Sequence, residues 1–586
     1  MSSDAPVEGA DPVPARTMSP AVSRIQPTKA KIATPLSDAL REHVFNEMPI
    51  RMLKLPEMVL VERGAVLQHL LRKLAYITPR RFDEMVEDTI QWQKLHAGEG
   101  SPLPHLPRDD GTRRRREIEM RRQNMDGLTR RHPLSTFNLV VDDEDIDDDD
   151  IEKARDALID KFLDEHAIYA ILSHTWLEDY PEVTYRDRME EKTWAAIVSE
   201  EQPAYQKLFW FCKTAYEAGR VDLAWMDTVC INKDSTTELE ESIRSMFRWY
   251  QSAKLCFCYL ADTESLTDMD ADRWFTRGWT LQELLAPRKI KFYNKNWMPL
   301  SNELNDKRCS EITSIIERVT SISVVSMSSF EPRTDRGVAH KMAWAAKRRT
   351  TKAEDHAYCL MGIFGVSFSI AYGEGPERAF LRLIEAILTT YPNCYDVFNF
   401  AGDPIDIEIH ASNIIPSSPQ CYLAHKHDLK LDHLYPRRPL TLTHIGMRIP
   451  LLIVTAQSDA TYVSVHGEHR FQCADIYKWT ADPVMCHPVE PVASDHFGFA
   501  IWNFSELPGD NILIPSMCAI FLLDLDVDEP RGGREGWSRY IAMDSIDYGS
   551  KIDTEEVLTM RISGLDEPVE KQRLGEYGIT YASVYL

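Results

Sequence analysis

Apolar and polar positions follow two rhythms along this chain, and the alternation between them defines its middle third. Between residues 166 and 300, apolar runs of strand length at 167–172 (AIYAIL), 221–226, 255–260 and 289–293 are separated by stretches with helical spacing. Residues 205–218 repeat apolar positions every three or four, and Gly219 is placed to stop that helix. A clearer helix follows. Ser235 with Glu238 fits a capping box, and Leu239, Ile243, Met246, Phe247 and Tyr250 fall on one face. Residues 274–287 (WFTRGWTLQELLAP) run from charged and aromatic positions into a short apolar helix with one acid, Glu283, and end at Pro287. Strand, helix, strand, helix, strand with short links predicts an α/β fold with a doubly wound, mostly parallel sheet.

The flanking regions read differently. Residues 1–36, rich in Pro, Ala and Ser without periodicity, suggest a disordered tail. Residues 37–96 form an N-terminal segment with a pair of short strands broken at Pro56 and a helix over 65–77. Residues 97–165 read as a charged, flexible insertion. Its basic block (Arg113 to Arg116, Arg121, Arg122, Arg130, Arg131) suits a nucleic-acid arm when taken alone. Set beside the acidic block at 142–152, it suits a solvated insertion whose charges offset each other. Residues 301–395 read as a helical extension, and 396–586 as a separate β-rich domain. The latter shows short β-like runs at 440–442, 448–454, 462–465, 497–502 and 519–525, punctuated by Pro, Gly and Asp.

Composition narrows the class. The 586 residues are 44% hydrophobic and 27% charged, ordinary values for globular protein. A net charge of −24 argues against general binding to nucleic acid or anionic lipid, which demand a basic face. The eleven cysteines show no metal spacing, and Cys256 and Cys258, alternating with Phe257, read as core thiols. No apolar run approaches the roughly 20 residues needed to cross a bilayer, and the first residues lack an apolar signal stretch. The expectation is a reduced, soluble, cytoplasmic protein with no membrane span.

In open α/β sheets, ligands sit beyond the carboxyl ends of the strands. Ser173, His174 and Trp176 follow the first strand, and Asp227, Cys230 and Asn232 the second. Parallel strands would gather these groups on one edge, within reach of the Glu283 helix. Two readings of Glu283 stay open. Thr280, Leu281, Gln282 and Glu283 match a capping box with Trp279 and Leu284 as its staple, or Glu283 is an acid that does chemistry. Gly373, Glu374 and Gly375 lack the further glycine and lysine of a phosphate loop and read as a helix-entry turn. His174 and Cys230 have no CxxC or HxxxH partner, so neither a metal site nor a resident cofactor is expected.

The motifs AILSHTW (170–176), EVTYRD (182–187), WMDTVCINK (225–233), ELEESIRSMFRWYQSA (238–253) and RGWTLQELLAP (277–287) resemble, in this order, those of fungal heterokaryon-incompatibility (HET) domains. Residues 342–383 are similar to the region that follows that domain in many such proteins, and 440–454 to their C-terminal part. Leu177 departs from the pattern, since many members have glycine there, and the turn at 178–181 is longer. The resemblance implies a role in non-self recognition and regulated cell death, and a domain related to TIR domains. RGWTLQELL is similar to the W-x-x-x-E-L segment of plant-type TIR domains, whose glutamate cleaves NAD, and Trp279, Glu283 and Leu284 fall on it.

On that resemblance Glu283 is the candidate catalytic residue. Ser173, His174, Trp176, Asp227, Arg277 and Trp279 are candidate substrate-binding residues, with NAD as substrate rather than cofactor. One acid suffices chemically, because the nicotinamide of NAD is already cationic and leaves without a general acid. A carboxylate beside the ribose can then stabilise an oxocarbenium-like transition state. Trp279 or Trp176 can stack on a ring, and Arg277 can hold the pyrophosphate. The alternative implied is a non-enzymatic signalling module acting through self-association and a protein trigger.

Overall fold

A computed structural model describes residues 32–95, 148–189, 202–333 and 337–391, with shorter pieces of 394–585. The basic block at 113–131, most of the N-terminal tail and the run at 462–465 lie outside the described residues. The chain packs as two units, one drawn from Met1–Leu40 and His69–Phe162, the other from Arg41–Gln68 and Leu163–Leu586. Helices α1 (Thr34–Asn46) and α2 (Arg63–Lys73) run across the division in sequence. Helix α3 (Pro79–Leu95) and most of α4 (Asp148–His166) belong to the first unit.

Helix α4 corrects the reading of 97–165 as wholly flexible. Ala154, Leu158 and Phe162, four residues apart, are buried and give it an apolar stripe. Asp149 and Asp150 stand in its first turn, where the helix dipole favours negative charge. The acids that suggest an insertion therefore suit the start of a helix.

The second unit holds the predicted sheet. Strands β1 (Arg51–Lys54), β2 (Val59–Glu62), β3 (Ala170–His174), β4 (Leu223–Trp225), β5 (Leu255–Tyr259) and β6 (Ile290–Tyr293) lie in the order β2-β1-β4-β3-β5-β6. Strands β3 to β6 pair in parallel, as expected. The β1–β2 hairpin, set apart with residues 37–96 in the sequence reading, instead joins antiparallel to β4 and extends the sheet. Met52 and Leu53, on opposite faces of β1, are both fully buried there.

Between β3 and β4 run α5 (Tyr185–Met189) and α6 (Pro203–Glu217). Helices α7 (Asp227–Cys230) and α8 (Thr236–Ser252) connect β4 to β5, and α9 (Thr280–Leu285) connects β5 to β6. The capping box of α8 is half formed. Ser235 accepts from the Glu238 amide, whereas the Glu238 carboxylate takes the Asn232 amide and Arg51. Gly219 follows α6, yet the left-handed residue is Arg220, with φ 50°. Gly219 is glycine for space, since a Cβ would lie 2.5 Å from the Ala215 carbonyl oxygen and 3.2 Å from the Phe257 ring.

Winding leaves β3 toward β4 on one side and toward β5 on the other, so the topological switch point falls between β3 and β5. At their carboxyl ends Ser173 pairs across from Cys258 and His174 from Tyr259. The crevice that doubly wound sheets use for ligands therefore opens at Ser173 and His174.

The helical extension is present as α10 (Ser310–Thr320), α11 (Val324–Ser328), α12 (Val338–Ala346), α13 (Asp355–Tyr358), α14 (Met361–Phe364) and α15 (Pro376–Thr390). Gly373 and Gly375 open α15 with φ 98° and 88°. Their amides donate to Glu354 Oε1 at 2.8 and 3.4 Å, so this turn already holds an anion of its own. Beyond residue 440 the described pieces are antiparallel β-structure apart from a 3-10 helix at Lys571–Tyr577. Gly446–Ser458 pairs with Thr441–Thr443, His469–Cys473, His496–Ile501 and Ile579–Tyr585. Among the described residues no helix is long and apolar enough to cross a membrane.

Candidate functional site

Every residue of α9 is buried, so the single acid in its sequence is drawn into the protein rather than toward water. Glu283 is 7% exposed, and its Oε2 accepts a hydrogen bond from Ser173 Oγ at 2.6 Å. Ser173 Oγ in turn accepts from Trp274 Nε1 at 2.7 Å. Tyr250, whose hydroxyl donates to the Leu172 carbonyl at 2.8 Å, stands beside them. Burial pushes the Glu283 carboxyl up to about 8; the Ser173 bond and Arg277 oppose the rise, while Asp227 adds to it. At neutral pH, without ligand, Glu283 is mostly protonated.

The capping-box reading is overturned. A box needs an extended N-cap residue, but Trp279 is already helical and Thr280 lies inside the helix, with no side-chain cap. The Thr280 hydroxyl instead donates to the carbonyls of Trp274 (2.6 Å) and Arg277 (2.9 Å) and accepts from Arg348 Nη1 (2.9 Å). At the other end, Lys307 Nζ donates to the Leu285 and Pro287 carbonyls at 3.3 and 2.6 Å, closing α9 with a cation. Burial pushes this ammonium down to about 8.

A second cluster lies along the same strand ends. His174, 7% exposed, has Nε2 at 3.6 Å from Asp227 Oδ1, too long for a hydrogen bond. Burial and then Lys207 hold its pKa down to about 3, so the ring is neutral. Asp227 is disfavoured as an anion by burial, but the Lys233 and Lys207 ammonium groups outweigh that and keep it below the usual range. Its Oδ2 accepts from Trp176 Nε1 and Lys233 Nζ, both at 3.4 Å, and Lys233 Nζ sits 4.0 Å from the centre of the Trp176 ring. Lys207, 2% exposed, pairs with Glu182, which also accepts from the Leu177 amide at 2.8 Å. That buried pair fixes the loop after β3.

Beside the second cluster lies a cleft of about 380 Å³, whose walls include Thr175, Trp176, Arg273, Arg277, Arg349 and Thr351. The structure thus joins Ser173 to Glu283 and Trp176 to Asp227, sets His174 beside Asp227, and places Trp176 and Arg277 together in the cleft. It does not bring Trp279 there, because the Trp279 indole donates to Asp355 Oδ2 at 3.1 Å. Sequence reasoning missed Trp274 and Tyr250 as partners of the acid. Trp274 lies in the same short motif, but only its burial separates it from Trp279. Arg349 was missed because no local pattern links it to residues more than seventy positions earlier.

Residues 169–270 match the family described as heterokaryon incompatibility protein (HET), a range that holds Ser173, His174, Trp176 and Asp227 and stops before Arg277 and Glu283. The vegetative incompatibility protein HET-E-1 of Podospora anserina is 40% identical to this chain over 230 residues, which is 37% of this chain and 16% of the relative. The match therefore spans about a sixth of that relative's length. No solved structure matches the chain. The motif order, the α/β sheet that carries the motifs and these two matches agree that residues 169–270 of this chain correspond to a HET domain.

Proposed function

We propose that this protein acts in fungal non-self recognition and that it brings about cell death by cleaving NAD at Glu283. The biological role follows from the family match and from the relative's description as an incompatibility protein. The chemistry is carried by one observation: an acid buried at the switch point of a doubly wound sheet and hydrogen-bonded to Ser173. Arrival of the cationic nicotinamide riboside would favour the ionised form of Glu283 and pull its pKa below about 8. The carboxylate then faces the positive charge that develops as the bond from ribose C1′ to the ring nitrogen breaks. The electron pair leaves with nicotinamide, and water adds at C1′ with loss of its proton. Ser173, held by Trp274, fixes the orientation of the acid.

The test is NAD consumption by the purified full chain and by Glu283→Gln. Loss of the charge is expected to lower the rate on the order of 10²-fold, by analogy with removal of an oxyanion-hole donor. Undiminished turnover in a folded variant removes Glu283 from the mechanism.

One observation favours a second reading, a non-enzymatic module acting through self-association and a protein trigger. Glu283 is not among the cleft residues, so a ligand bound in the cleft need not touch the acid. Killing on expression that survives Glu283→Gln, while neither form consumes NAD, selects this reading.

A further inference from the structure

The cleft beside Trp176 is built by two segments far apart in the chain. Residues 348–351, which follow α12 in the helical extension, are stitched to residues 276–280. Arg349 N donates to the Thr276 carbonyl at 2.7 Å, and Gly278 N to the Arg349 carbonyl at 2.8 Å. Arg348 Nη1 donates to the Arg277 carbonyl, and Arg277 Nη1 to Thr351 Oγ1, each at 2.9 Å. Gly278 permits the approach, since a Cβ there would lie 2.4 Å from Thr350 Cγ2. The backbone bridge sets Arg277 and Arg349 side by side.

Charge in this cleft is unbalanced. Arg273 is paired with Glu178 at 2.7 Å and Asp262 at 3.2 Å. Arg277 and Arg349 have no carboxylate partner among the described residues, although the protein carries a net charge of −24. Thr175, 3% exposed, lines the same cleft with its hydroxyl oxygen unpartnered. Trp176 is 43% exposed, and although the Lys233 ammonium sits 4.0 Å from the centre of its ring, a base that displaces that cation could stack there.

We propose that this cleft binds the diphosphate of a nucleotide. The guanidinium groups of Arg277 and Arg349 take phosphate oxygens, the Thr175 hydroxyl donates, and Trp176 stacks on the base. Adjacent guanidinium forks offer bidentate geometry matched to phosphate, and the cleft volume falls within the range of roughly 300–1,000 Å³ usual for small-ligand sites. The proposal rests on the NAD reading for which nucleotide binds, and on the unbalanced arginines for the anion. It makes the helical extension part of the ligand site, since Arg349 lies outside the family-matched residues 169–270.

The experiment titrates the full chain calorimetrically with ADP, inorganic pyrophosphate and adenosine, none of which contains the bond to nicotinamide. ADP and pyrophosphate are expected to bind and adenosine to bind at least tenfold more weakly. Arg349→Gln should weaken ADP binding at least tenfold with an unchanged unfolding temperature, because the Arg349 side chain is exposed and only its backbone makes the stitch. Arg349→Lys keeps the charge without the fork and should lose several-fold. Arg288→Gln, an exposed arginine outside the cleft, should lose nothing. Failure of the native chain to bind either ADP or pyrophosphate overturns the proposal, as does equal ADP affinity in the native and Arg349→Gln proteins. A protein that binds ADP through Arg349 yet leaves NAD intact keeps this site and loses the catalytic reading. One that cleaves NAD with unchanged ADP binding in Arg349→Gln does the reverse.

Discussion

Ser173 Oγ and Glu283 Oε2 lie 2.6 Å apart, joining the central strand of the sheet to a short helix 110 residues later in the chain. Ser173 also takes the Trp274 indole proton, so one hydroxyl serves a buried ring and a buried acid. Replacing it leaves both without their partner. Ser173→Ala is expected to cost about 1–3 kcal/mol, the usual penalty for a stranded buried donor. Urea unfolding measures it, and an unchanged midpoint would mean that water replaces the hydroxyl.

Glu283 couples stability to pH. Its folded-state pKa, about 8, stands above the ordinary glutamate value of 4.5. The folded protein therefore holds a proton that the unfolded chain has released across that interval. The stabilising contribution is complete below about pH 4.5 and is lost as pH rises through about 8. Glu283→Gln cannot ionise, so between pH 5 and 9 its unfolding free energy should fall less steeply than that of the native protein. Parallel stability curves for the two proteins would contradict this.

The same titration sets the rate profile of the proposed reaction. If the carboxylate is the working form, NAD turnover by the full chain should rise with pH toward a plateau above about 8. A cationic substrate moves the midpoint of kcat below that of kcat/KM, because kcat/KM reports the free enzyme and kcat the complex. Turnover that falls over this interval would indicate the protonated acid instead.

Lys207 and Glu182 form an ion pair almost wholly out of water. Lys207→Met leaves Glu182 as an unpaired buried charge and is expected to cost about 3–5 kcal/mol. Glu182→Gln in the same chain should recover part of that loss. A double variant no more stable than Lys207→Met would show that the lysine stem, rather than the charge pair, holds the loop after β3.

Gly278→Ala puts a methyl group against Thr350, with a destabilisation of about 1–3 kcal/mol expected from overpacking. Thr350→Ser removes the atom it meets and should relieve the strain. Equal instability in the single and double variants would place the strain elsewhere.

The four parallel strands and the buried face of α8 were legible because apolar spacing is a local property, visible within a dozen residues. The Thr280 to Glu283 stretch misled for the same reason. Its local pattern suits a cap, but Arg348 and Ser173 supply tertiary partners that claim the threonine and the acid. In α4 the acids masked the spacing of Ala154, Leu158 and Phe162. The β1–β2 pair could be read as strands, but nothing in their own residues names β4 as a partner. Of the candidate site, the strand-end residues were legible through topology. Trp274, Tyr250 and Arg349 were not, because their roles exist only after the chain has folded.

The bridge between Arg277 and Arg349 also governs how the domain can be cut and transplanted. Severing the chain near residue 300, where the α/β pattern ends, would take away the acceptor of the Gly278 amide and the guanidinium on Thr280. It would also remove Lys307, the cation that closes α9. The helix bearing Glu283 would then lose support at both ends, and inactivity of such a fragment would say nothing about the intact protein. A graft carrying the site must run through Thr351 and include the β1–β2 hairpin, which completes the far edge of the sheet.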